Sequence, residues 1–92
     1  MSQGGVQMNI ERIWGNIRTH EGEVFYTKRG KPFTYRATDR LVVLQNTNRN
    51  IPIGDFAKAL KIANPSVVKI QQMNLQGPSY LYGIISDPRI VP

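Results

Sequence analysis

Val24-Phe25-Tyr26-Thr27-Lys28-Arg29-Gly30-Lys31-Pro32-Phe33-Thr34-Tyr35-Arg36-Ala37 is rich in β-branched and aromatic residues that repeat with a period of two, interrupted once by a short basic turn. That pattern is the signature of half-buried strands. Side chains alternate across a strand, so Phe33, Tyr35 and Ala37 share one face, and Thr34, Arg36 and Thr38 share the other. Leu41-Val42-Val43-Leu44 follows after a short connection over residues 38–40. Residues 24–27, 32–37 and 41–44 are therefore expected to form a three-stranded antiparallel meander. Its first hairpin carries Lys28-Arg29-Gly30-Lys31 at the tip, where Gly30 supplies the positive φ that such a turn often needs.

Upstream the period is helical. Ile10, Ile13, Trp14 and Ile17 recur at i, i+3, i+4 and i+7, so one face is apolar, with Asn9 as the expected N-cap and Glu21-Gly22 as the stop. Downstream, the polar run over residues 45–50 reads as a loop. Phe56, Ala59, Leu60 and Ala63 mark a helix that starts near Asp55 and is stopped by Asn64-Pro65. Residues 66–73 fit either a short helix or a strand, and the helix is preferred. Gly77-Pro78-Ser79 opens a last helix with proline in its first turn, where a missing N–H costs nothing, and Asp87-Pro88 ends it. The fold class is α+β: an N-terminal helix, a three-stranded antiparallel meander and two or three C-terminal helices. Residues 1–8 are expected to be a flexible arm and residues 9–92 a single domain.

Composition narrows the chemistry. Ninety-two residues with 40% hydrophobic and 20% charged content suit one small folded domain. No apolar run reaches the roughly 18 residues needed to span a bilayer, and Met1-Ser2-Gln3-Gly4-Gly5 lacks the features of a signal peptide. A cytoplasmic protein without a membrane partner is expected. The chain has no cysteine and one histidine, His20, so thiolate chemistry and multi-histidine metal centres within one chain are excluded. Its six carboxylates are scattered. The expectation is a protein that binds without catalysis, with neither a metal nor a cofactor.

The positive charge is concentrated. Lys28, Arg29, Lys31, Arg36, Arg40 and Arg49 oppose a single acid, Asp39, over residues 28–49, so six cations less one anion place +5 of the net +6 there. Cations at a hairpin tip can meet phosphates, and Tyr26 interleaves with them on the face opposite Phe25, while Phe25 and Phe33 are expected in the core. Asn48 and Arg49 lie in an amide-rich loop able to contact base edges. The candidate nucleic-acid or anion site is thus Lys28, Arg29, Lys31, Arg36, Arg40, Arg49, Asn48 and Tyr26. The bland alternatives are a solvated turn and an ordinary polar loop. Trp14 is expected in the core, Asp55 as a helix cap and Asp87 in a helix-ending turn.

Three stretches carry a resemblance: Phe25-Tyr26-Thr27-Lys28-Arg29-Gly30-Lys31-Pro32-Phe33-Thr34-Tyr35, Ile51-Pro52-Ile53-Gly54-Asp55-Phe56-Ala57-Lys58-Ala59-Leu60, and Gly77-Pro78-Ser79-Tyr80-Leu81-Tyr82-Gly83-Ile84-Ile85-Ser86-Asp87-Pro88-Arg89-Ile90. Over about residues 23–90 the chain resembles a small bacterial and phage domain associated with mobile-element and DNA-processing proteins. The resemblance implies nucleic-acid-linked or phage–host biology and assigns no residue a role. The expected partner is nucleic acid or another polyanion, bound through the basic hairpin. The alternatives are a phage-type inhibitor that captures an acidic host protein or an anionic nucleotide, and a structural module that self-associates as a homo-oligomer.

Overall fold

A computed structural model of the chain describes residues 10–45, 47, 49–62 and 66–92. Candidate Asn48, the expected cap Asn9, the expected arm over residues 1–8 and the expected stop at Asn64-Pro65 lie outside the described residues. The fold is α+β. Helix α1 (Ile10–Thr19) is followed by strands β1 (Phe25–Tyr26), β2 (Pro32–Phe33), β3 (Tyr35–Ala37), β4 (Leu41–Leu44) and β5 (Asn50–Pro52), then by helices α2 (Ile53–Leu60), α3 (Val67–Gln72) and α4 (Pro78–Ile85).

The expected single meander is not formed. Five strands make two sheets, an antiparallel β1–β2 hairpin and a separate antiparallel sheet in the order β3-β4-β5. The reason lies beside β3. In the first hairpin Phe25 faces Phe33, and continuing that register would set Glu23 opposite Tyr35 and Glu21 opposite Ala37. Those residues are instead occupied by the turn that ends α1, with Gly22 at φ +85°. The turn itself supplies the missing bonds: the Gly22 N–H donates to the Tyr35 carbonyl at 2.9 Å, and the Ala37 N–H donates to Glu21 Oε1 at 3.0 Å. A carboxylate thus stands in for a strand carbonyl and closes the β3 edge, which would otherwise remain open to pairing.

The fifth strand was not expected, because Asn50 and Pro52 disfavour a strand. Pro52 is tolerated at the sheet edge, where its absent N–H leaves no ladder bond unmade. Ile51 faces Val42 and is fully buried, and the hairpin from β4 is closed by the Leu44 N–H donating to the Arg49 carbonyl at 3.1 Å. Helix α2 accordingly begins at Ile53, earlier than its periodicity suggested. Asp55 is not its cap; its Oδ2 accepts the Gln76 N–H at 2.9 Å and ties α2 to the segment before α4.

The inward face of both sheets follows the alternation despite the changed pairing. Phe25, Phe33, Tyr35, Ala37, Val42, Leu44 and Ile51 are buried against Ile13, Trp14 and Ile17 of α1, Phe56 of α2, Ile70 of α3, and Leu81, Ile84 and Ile85 of α4. Three polar bonds pin this core. Trp14 Nε1 donates to the Thr38 carbonyl at 3.0 Å, and Asn16 Nδ2 donates to the Ile90 carbonyl at 2.9 Å. The Tyr35 hydroxyl donates to the Ile17 carbonyl at 2.6 Å, satisfying one of the acceptors that a helix C-terminus leaves over. Burial holds the Tyr35 hydroxyl well above its usual pKa. Residues 66–73 contain helix α3, capped by Ser66, whose hydroxyl accepts the Lys69 N–H at 3.2 Å.

Candidate anion-binding groove at the basic hairpin

The hairpin turn is closed locally. Thr27 exchanges backbone bonds with both sides of it: its N–H donates to the Lys31 carbonyl at 3.0 Å and its carbonyl accepts the Gly30 N–H at 2.9 Å. Its hydroxyl also accepts the Lys31 N–H at 3.1 Å. Gly30 sits at φ +85°, the left-handed conformation in which a side chain would be strained. Lys28, Arg29 and Lys31 are therefore carried on a turn that Thr27 closes through its backbone and its hydroxyl.

The hairpin leans against α4, which directs two of its cations. Lys28 Nζ lies 5.9 Å from the centre of the Tyr82 ring, and Lys31 Nζ lies 3.5 Å from the Tyr80 hydroxyl. Tyr80 is positioned in turn by an edge-on contact with Phe33, ring centres 5.1 Å apart. Helix α3 stands across from the tip. Between them opens a groove of about 540 Å³ lined by the three cations, by Val67, Val68 and Gln71 of α3, and by Ser79 and Tyr80 of α4. Val68 is 60% exposed, although it is a large apolar side chain. No Asp or Glu is among the groove's lining residues.

Three of the eight sequence candidates meet at this groove. Arg36 does not: it is on the outer face of β3, in a separate depression with Glu21 and Gln45. Arg40 is exposed in the β3–β4 turn, beside Asp39, whose carboxylate accepts a 2.6 Å bond from Arg18. Arg49 is exposed just before β5. Tyr26 is 57% exposed, but it is not among the residues lining the groove. The groove also includes residues that sequence reasoning passed over, Val67, Val68 and Gln71. Their only local signal was a pair of adjacent valines on a short helix whose other apolar residue, Ile70, is in the core, and nothing local places α3 opposite the hairpin.

A second charged cluster is structural. Arg89 donates from Nε and Nη2 to the Asp87 carboxylate at 3.0 and 2.9 Å, from Nη1 to Glu23 at 3.0 Å, and from Nη2 to the Val24 carbonyl at 2.9 Å. Its guanidinium carbon lies 3.8 Å from the centre of the Phe25 ring. Hydrogen bonding from Arg89 holds the Asp87 carboxyl below its usual range; that of Glu23 is lowered first by the hydrogen bond with His20 and further by Arg89. The Asp87 pair in turn raises the Arg89 pKa. This cation is committed to joining the C-terminal segment to the base of the hairpin.

Among the described residues no helix is long and apolar enough to cross a membrane, and no group of three side chains suited to a metal ion occurs. Compared with known proteins, the chain matches no family model, no curated protein and no solved structure.

Proposed function

We propose that this chain is a non-enzymatic nucleic-acid-binding protein whose contact surface is the β1–β2 hairpin tip. One observation carries the reading: Lys28, Arg29 and Lys31 are exposed at one turn and form no ion pair among the described residues, whereas Arg18 and Arg89 are held by carboxylates. Clustered cations that are not tied up in ion pairs are available to phosphates, and releasing condensed counterions makes such contacts favourable. The committed arginines supply a local contrast, since their charge is already neutralised.

The test is fluorescence anisotropy of a labelled oligonucleotide titrated with the wild-type chain and with K28A/R29A/K31A. The triple variant is expected to lose binding while its melting temperature stays nearly unchanged, because all three side chains are exposed. Undiminished binding by the variant overturns the reading. A shallow salt dependence, combined with thermal protection by a mononucleotide, would assign the tip to a small anion instead.

A further inference from the structure

We infer that the groove between the hairpin tip and α3 takes a single strand of nucleic acid in preference to a duplex. The inference rests on the nucleic-acid reading above and adds the form of the ligand. Its volume of about 540 Å³ is that of a pocket for one small group. That leaves room for one unstacked nucleotide and none for a duplex to enter.

The two walls differ in chemistry. On the hairpin side are the three cations; on the α3 side Val68 is exposed, with Gln71 beside it, and Tyr80 lies at the α4 end. A single strand presents both kinds of surface together, phosphates along one edge and apolar base faces along the other. A duplex presents its phosphates and keeps its base faces stacked, so the exposed valine and the tyrosine would go unused. The Tyr80 ring is already held by Phe33, so a base meeting it orders little else. The Gln71 amide both donates and accepts, and suits a Watson–Crick base edge, which only an unpaired strand exposes. Arg36, Arg40 and Arg49, which could extend a charge track for a duplex, do not line the groove.

The experiment compares a labelled 12-nucleotide thymidine strand, a duplex of the same length and, as competitor, polyglutamate. Wild type is expected to bind the strand at least tenfold more tightly than the duplex, with a log–log salt slope of about −2 for three phosphate contacts. Val68→Asn and, separately, Gln71→Ala are each expected to weaken strand binding several-fold while leaving duplex binding and melting temperature unchanged. Both positions are exposed, so each variant tests the groove independently. Equal or tighter duplex binding, or strand binding indifferent to both variants, overturns the single-strand inference and leaves the nucleic-acid reading standing. Binding of neither oligonucleotide overturns both, and polyglutamate bound in their place would assign the groove to an acidic protein.

Discussion

Gly83 of α4 lies so close beneath Tyr26 of β1 that a Cβ built on it would stand 2.5 Å from the Tyr26 carbonyl oxygen and 3.1 Å from the Phe33 ring. The glycine therefore sets how near the hairpin approaches the helix, and with it where Lys28 and Lys31 sit relative to Tyr82 and Tyr80.

Gly83→Ala is expected to destabilise the fold. Alanine favours a helix interior by about 1 kcal/mol, but a methyl forced against main chain costs about 1–3 kcal/mol, and the close approach decides the sign. Urea denaturation measures the stability, and oligonucleotide anisotropy is expected to show weaker binding as the hairpin moves away. A variant more stable than wild type would show that the hairpin adjusts freely.

Arg89→Lys is expected to cost about 1–3 kcal/mol in the same denaturation measurement, despite keeping the charge. A lysine ammonium cannot reproduce the planar fork that meets Asp87, Glu23 and the Val24 carbonyl while lying over Phe25. An unchanged midpoint would reduce the cluster to a surface ornament.

Acid is expected to release that cluster. Asp87 and Glu23 have folded-state pKa values below their usual 3.8 and 4.5, so their stabilisation is fully present above the ordinary carboxylate range. It is lost as pH falls through the lowered values. Melting temperature followed from pH 7 to pH 2 should hold down to about pH 5 and then drop. The Asp87→Asn variant should begin lower and fall less steeply; parallel curves would remove Asp87 from the acid response.

Tyr35→Phe removes only the hydroxyl that donates to the Ile17 carbonyl. The expected cost is about 1–3 kcal/mol, because the buried acceptor loses its partner while the ring packing against Phe25 is kept. Thermal denaturation gives the loss, and oligonucleotide affinity should not change, since Tyr35 is not among the residues that line the groove.

Much of the local structure was legible in the residues themselves. The alternation through Phe33, Tyr35 and Ala37 identified the inward face even though the strand breaks at Thr34, where the carbonyl accepts the Gln45 N–H at 3.1 Å. Pro78 marked the start of α4, and Gly30 marked the basic turn. Pairing was harder to read, because the β3 edge is completed by the Glu21 side chain and the Gly22 backbone, a substitution that no strand pattern encodes. Strand β5 was hidden for a similar reason: Pro52 argues against a strand except at an edge, and only the assembled sheet makes it one.

By itself the sequence determined the α+β class, the side-chain faces and the concentration of charge, because periodicity, turn chemistry and composition act over a few neighbouring residues. Tertiary structure decided the split into two sheets, the closure of the β3 edge and the groove. Lys28 and Val68 line the same groove only because Gly83 lets the hairpin settle on α4 and the core holds α3 nearby, contacts between segments far apart in the chain.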